Sequence, residues 1–264
     1  MMLYDHAHKR LVLFEQQATP EFWDEQWHKE NIKTLIASGK THHFIEHFTK
    51  RYVPAGGKIL EGGCGSGQVV WCLNKWGYDA YGIDYADRTI RAVSENLPNL
   101  QLSVEDVRHT TFPNNFFDAY WSLGVIEHFW DGFDEITQEA HRVLKPDGIF
   151  FLSFPVMSPL RKLKARLDLY QPMRASTPQK NFYEFILDQK LVSQQLDEQG
   201  FELVETSLYD ALKGLKDELP LLHHPLQKLY KNKHVVARGF RLLLTILLGR
   251  LTGHMTLLVF RKTP

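Results

Sequence analysis

The residues best placed to do chemistry are a glycine run and a few acids that follow it at strand-length intervals. Ile59-Leu60-Glu61-Gly62-Gly63-Cys64-Gly65-Ser66-Gly67 carries an apolar stretch into glycines at positions 63, 65 and 67, and then into a helical pattern. Glycine lets a backbone turn sharply and lie against a ligand with no side chain between them. A helix starting after Gly67 would aim free N–H groups and the positive end of its dipole at the same place. Such a turn suits a nucleotide-like ligand, although a ligand-free strand–helix turn would use the same glycines. The spacing is not G-x-G-x-x-G, in which a helix terminus holds a pyrophosphate, because the third glycine comes one residue early.

Three further sites support the ligand reading. Asp84, followed by Tyr85, closes an apolar run about 20 residues after the loop, where an acid can accept from ribose hydroxyls. Asp106 can accept from an exocyclic amine, and Val107 beside it offers a backbone N–H. Ser122 and Leu123 end another strand pattern, and Glu127-His128 follow. With an ordinary pKa of about 6.5, His128 is the candidate general base. Upstream, Trp23 and Trp27 share one helix face at i and i+4, either as core packing or as a lid over the site.

These residues need elements to position them. Residues 20–52 read as two helices. Pro20 opens one through Phe22, Trp23, Trp27 and Ile32; Gly39 breaks it, and Thr41 caps a second through Phe44, Ile45 and Phe48. Strands at 58–61, 78–83, 100–104, 119–123 and 149–154 then alternate with helices at 69–76, 88–97 and 133–144, and 145–148 reads as a turn. That alternation implies a parallel sheet with helices on both faces, its ligand beyond the carboxyl ends of the strands. Residues 183–199 read as a helix, and 201–209 and 255–261 as strands. The expected organisation is an N-terminal helical lid over 1–54 and a domain over 55–264, with cap insertions at about 157–182 and 210–253.

Lysine plus arginine equals aspartate plus glutamate at 31 each in 264 residues, whereas a protein gripping nucleic acid by its phosphates more often shows a basic excess. No nucleic-acid partner is expected. Cys64 and Cys72 are too few for a disulfide framework and are expected to be reduced thiols. The first residues hold no apolar leader, and no run approaches the roughly 18 apolar residues of a membrane span, so a cytoplasmic setting is expected. The stretch 235–251 is very apolar. It is either buried in the cap, the favoured reading, or lies in a membrane interface with Lys228, Lys231, Lys233, Arg238, Arg241 and Arg250 at the headgroups.

The ILEGGCGSG loop, the YGID strand end, the VEDV segment, the FDAYWSLGVIEHF strand and the LKPDGIFFLSFP turn and strand occur in the order seen in class I (Rossmann-like) S-adenosylmethionine-dependent methyltransferases. The sequence resembles their small-molecule, type 11-like group over about residues 55–155. The resemblance implies an α/β fold: a seven-stranded, mostly parallel sheet with helices on both faces, an antiparallel terminal strand pair, and helical additions. It implies S-adenosylmethionine as cofactor, which has no pyrophosphate to hold. Glu61 would orient the loop and the methionine ammonium, Gly63 and Gly65 would pass close to the cofactor, and Cys64, Gly67 and Tyr85 would complete its surround. Asp84 would hold the ribose, Asp106 and Val107 the adenine, and Ser122 and Leu123 the methionine portion. Trp23, Trp27 and Glu127 would face the acceptor. Methyl transfer to an oxygen or nitrogen of a small molecule, with a lipid- or glycan-precursor-linked acceptor as a sub-case, by in-line displacement, is the implied activity. No metal is expected; Glu127, His128 and Asp131 are the set that would hold one. A cofactor-binding scaffold without catalysis and a nicotinamide oxidoreductase are the competing readings.

Overall fold

The computed structural model describes residues 1–28, 41, 43–174, 176–232 and 234–263, so Ile32, Gly39 and Lys233 of the sequence reading lie outside the described residues. The chain begins with a hairpin, β1 (Met2–Asp5) and β2 (Arg10–Phe14), followed by helices α1 (Pro20–His28) and α2 (His43–Tyr52). Five parallel strands come next: β3 (Lys58–Gly62), β4 (Asp79–Asp84), β5 (Gln101–Val104), β6 (Phe117–Leu123) and β7 (Leu144–Pro155). Helices α3 (Gln68–Lys75), α4 (Asp87–Asn96) and α5 (Asp134–Val143) link them. Then follow α6 (Pro159–Arg166), β8 (Gln171–Pro172), β9 (Phe182–Ile186), α7 (Gln189–Glu198), β10 (Phe201–Tyr209), α8 (Ala211–Glu218), α9 (His223–Lys231), α10 (Val235–Thr252) and β11 (Met255–Lys262).

The large sheet has seven strands in the order β10-β11-β7-β6-β3-β4-β5, and β11 runs antiparallel to both of its neighbours. This is the expected class I architecture. Period-two alternation explains why it is buried on both faces. Ala119, Trp121, Ile149 and Phe151 enter one core with α2, α3 and α4; Tyr120, Phe150, Leu152 and Phe154 enter the other with α5 and α7. The indole of Trp121 stacks on Phe151 with ring centroids 4.0 Å apart and donates to Thr49 Oγ1 at 3.2 Å, which fixes α2 to the sheet. The expected turn at 145–148 is taken into β7 as an irregularity, with Asp147 at φ 62°.

Three expectations need correction. Residues 1–54 are not wholly helical: β1 and β2 join a second sheet of order β8-β1-β2-β9. Residues 183–199 are not one helix but β9 and then α7, which Asp188 caps by accepting from the Lys190 N–H at 2.8 Å. Phe182, Phe185 and Ile186 suit a helix face or a strand; pairing with β2, where Val12 sits opposite Phe185, decides for the strand.

The added segments are pinned by buried charge. Arg161 donates to Glu218 at 2.8 Å, to the Val156 carbonyl at 2.8 Å and to His254 Nδ1 at 2.8 Å. Lys164 and Tyr170 each reach Glu218 at 2.6 Å. Burial, with Arg161 and Lys213 alongside, pulls the His254 pKa down to about 2. The favoured expectation for 235–251 also fails: much of the outer surface of α10 is apolar and exposed.

Candidate cofactor and acceptor site

The glycine loop hangs from the neighbouring strand. The N–H groups of Gly63 and Cys64 both donate to the Ile83 carbonyl, at 2.8 and 2.9 Å. Gly63 and Gly65 have φ of 76° and 48°, a region that disfavours side chains. A Cβ at Gly63 would meet Val125 Cγ2 at 2.5 Å, and one at Gly65 would meet the Trp27 indole at 2.5 Å. Asp84, at the tip of β4, accepts from the Gly65 N–H at 2.8 Å and the Ala86 N–H at 2.9 Å. Burial raises its carboxyl above the usual range, against the pull of those donors.

A cavity of about 220 Å³ lies over this loop. Glu61, Gly63, Cys64 and Asp84 form its floor; Tyr85, Asp106 and Val107 one wall; Leu123 and His128 the other; Trp23 and Trp27 cover it. Gly65 lies beneath the Trp27 ring. Gly67 packs toward Leu102 instead, and Ser122 and Glu127 are buried behind the lining. Glu61 is buried, its Oε2 without a partner among the described residues, and burial pushes its carboxyl well above the ordinary range. The Ser122 hydroxyl is likewise buried and unpartnered. Burial also pushes up the Cys64 thiol.

Several lining residues escaped the sequence reading: Ser66, Gln68, Val69, Glu105, Gly124, Val125 and Phe129. Most flank a residue already singled out, so adjacency was the available signal. Asp106 carries an unforeseen partner. Arg108 grips both of its oxygens, Nε at 3.0 Å from Oδ1 and Nη2 at 2.6 Å from Oδ2, and so holds the carboxyl below the usual range. The lid has a pin that was also missed: Asp24 on α1 accepts from the Thr89 N–H and hydroxyl, both at 2.8 Å, at the start of α4. Tyr85 adds a bond to the Ala18 carbonyl at 3.2 Å.

On the acceptor side, His128 Nδ1 lies 2.7 Å from the Tyr183 carbonyl, so Nδ1 carries the proton and Nε2 the lone pair. Trp23 and Tyr183 meet the ring edge-on at 5.1 and 5.0 Å, and burial pulls its pKa down to about 4. Donor atoms of Glu127, His128 and Glu184 lie within 4.8 Å of one another, a grouping that a divalent ion could bridge. Glu184 replaces Asp131 in that set. Burial pushes the Glu184 carboxyl up to about 7, and that of Glu127 well above its ordinary range.

Comparison with known proteins agrees with this geometry. The family model described as a methyltransferase domain matches residues 60–152. A protein of Mycolicibacterium smegmatis, described as a probable S-adenosylmethionine-dependent methyltransferase, is 28% identical over 152 residues, which are 58% of this chain and 54% of that one. An S-adenosyl-L-methionine-dependent Diels-Alderase of Talaromyces variabilis is 32% identical over 108 residues, 38% of this chain and 37% of its own. A ubiquinone biosynthesis O-methyltransferase of Haemophilus ducreyi is 29% identical over 154 residues, 55% of this chain and 63% of that one. The chain thus spans from 37% to 63% of the length of these relatives. The solved structure of an S-adenosylmethionine-dependent methyltransferase from Archaeoglobus fulgidus superposes with a TM-score of 0.55 at 13% identity, over 92% of this chain and 99% of that one. Motif order, matched family and fold converge: residues 60–152 carry a methyltransferase domain, set in the fold of the class I S-adenosylmethionine-dependent methyltransferases.

Proposed function

We propose that this protein transfers the methyl group of S-adenosylmethionine to an oxygen or nitrogen of a small-molecule acceptor that enters beside His128. The observation that carries the reading is the unpartnered, buried Oε2 of Glu61 on the cavity floor. A buried acceptor without a donor is costly, and an α-ammonium group is the donor that this position calls for. When bound, the cofactor supplies a methyl group already activated by the sulfonium charge.

The chain's own residues then position and enclose. Asp84 keeps lone pairs free for ribose hydroxyls while its backbone bonds hold the carboxylate still. Val107 offers a backbone N–H to an adenine ring, and Asp106, steadied by Arg108, accepts from the exocyclic amine. Leu123 lines the methionine side, with Ser122 behind it. Trp23 and Trp27 exclude water and set the acceptor in line with the methyl–sulfur bond, an alignment worth up to roughly 7–11 kcal/mol in ideal intramolecular models. His128 Nε2 takes the proton of an acceptor that arrives protonated. Its low pKa makes it a weak base, so positioning carries most of the acceleration. The ubiquinone-biosynthesis relative supports an oxygen acceptor. A membrane-held acceptor is favoured within the class, because α10 exposes apolar side chains. The two free, buried cysteines support a reducing, cytoplasmic setting.

Calorimetry with S-adenosylhomocysteine, followed by methyl transfer to a panel of phenols and amines, tests the reading. Tight binding with turnover supports it, and absence of binding overturns it. Tight binding without transfer across the panel would move the protein to a second reading, a cofactor-binding protein that does not methylate; the Diels-Alderase relative gives that reading its one observation.

A further inference from the structure

Helix α10 has two apolar faces, and only one is covered. Ala237, Leu244, Leu248 and Thr252 turn inward, toward α8 and α6. On the outside, Val236 is 72% exposed, Ile246 71% and Leu247 68%, and Phe240 and Leu243 are about half exposed at 49% and 47%. Leu221, just before α9, is 97% exposed. Scattered exposed apolar side chains are ordinary, but a contiguous stripe along a five-turn helix is a surface made to be covered.

Charge identifies the cover. Glu218 is the last acidic residue of the chain; none follows it through α9, α10 and β11. Lys228 and Lys231 on α9 and Arg250 near the end of α10 are exposed, and Arg241 ties α10 to α9 through the Tyr230 carbonyl at 2.6 Å. A chain with no net charge has therefore left its last 46 residues, which include its most apolar exposed helix, with basic residues and no acidic ones. Apolar side chains rimmed by lysine and arginine match a bilayer with an anionic surface: the acyl boundary takes the stripe and the phosphates take the rim. A protein partner would match the stripe, but nothing would then require the absence of acids. Among the described residues no helix is long and apolar enough to cross a membrane, so the contact is peripheral.

We infer that α9 and α10 form a docking surface for an anionic lipid bilayer. The surface stands independently of methyl transfer; it rests on the proposed activity only in that a docked enzyme would draw its acceptor from the lipid phase.

Flotation of the whole chain with vesicles tests the inference. Phosphatidylcholine vesicles containing roughly 30% phosphatidylglycerol should carry the protein, and pure phosphatidylcholine should carry at least about tenfold less. Ile246→Asp with Leu247→Asp should abolish flotation, and Lys228→Glu with Lys231→Glu should erase the preference for anionic lipid. Both double variants should keep wild-type affinity for S-adenosylhomocysteine, which shows that the fold survives. A wild-type protein that binds S-adenosylhomocysteine but floats with neither vesicle overturns the docking surface alone. A concentration-dependent dimer dispersed by Ile246→Asp, without flotation, overturns it in favour of a second copy. Flotation without S-adenosylhomocysteine binding would uphold the surface and overturn the cofactor reading instead.

Discussion

The region around the glycine loop and the region that caps it solve the same problem by different means. The loop region is organised by backbone. Its strands pair in parallel, its turns are set by glycines, and Asp84 accepts from main-chain donors, the Gly65 N–H at 2.8 Å and the Ala86 N–H at 2.9 Å. The cap is organised by side chains. Arg161, Glu218, His254, Lys164 and Tyr170 meet in the interior, and three separate stretches of sequence hang from that knot. A backbone-built site holds any ligand of the right outline. A side-chain-built cover can be rewritten without disturbing what lies beneath. The family model matches the first of these two regions, over residues 60–152.

The contrast can be broken most directly at the knot. Removing one member of a buried ion pair strands the other, so Arg161→Met is expected to cost about 3–5 kcal/mol in urea unfolding while S-adenosylhomocysteine affinity changes little. A loss under roughly 1 kcal/mol would mean that the cap is not held by charge. In the loop region the reverse pattern is expected. Asp84→Ala should weaken S-adenosylhomocysteine about a hundredfold, or roughly 3 kcal/mol by calorimetry, with the fold retained; unchanged affinity would remove Asp84 from the cofactor site.

A smaller effect sharpens the claim that glycine geometry matters. Gly63→Ala places a methyl 2.5 Å from Val125 Cγ2 at φ 76° and should cost about 1–2 kcal/mol of stability. Adding Val125→Ala should restore only the steric part, since the left-handed backbone remains; full restoration would show that backbone strain is not the issue.

The smallest effect concerns acid. His128 is held below its ordinary pKa, at about 4, so between about pH 6.5 and 4 the unfolded chain binds a proton that the folded one refuses. Its contribution is intact above pH 6.5 and drains away as the pH falls. Near pH 5.5 the loss should be about 1 kcal/mol, and His128→Asn should lack that part of the acid slope. Parallel slopes for the two proteins would place the ring in water rather than among Trp23 and Tyr183.

The same division governs what could be read in advance. Glycine spacing, strand-end acids and period-two runs are local signals, and they located β3 to β7 and most of the cavity floor. Asp106 was found, but the Arg108 clamp two residues on was not, because nothing local distinguishes it from a solvated arginine. The first hairpin was missed although its turn left a trace: Asp5 Oδ1 accepts the Ala7 N–H at 3.1 Å, a turn chemistry available to any Asp before a polar run. What makes that segment a strand is its pairing with β9, far along the chain. Glu184 joins the acceptor side by the same pairing, opposite Leu13. The bareness of α10 was beyond reach, since an apolar helix reads identically whether covered or exposed.

That remote pairing also sets an order of assembly. Leu11 faces Ile186 across a closure that encloses every parallel strand of the large sheet. Such closures lose chain entropy before any contact repays it, and chains rich in them fold late. During synthesis the opening residues must wait, edge exposed, until the stretch carrying Phe185 has left the ribosome. Pulse-labelled hydrogen exchange should accordingly protect the amides of β3 before those of β2; the opposite sequence would show that the hairpin nucleates on its own.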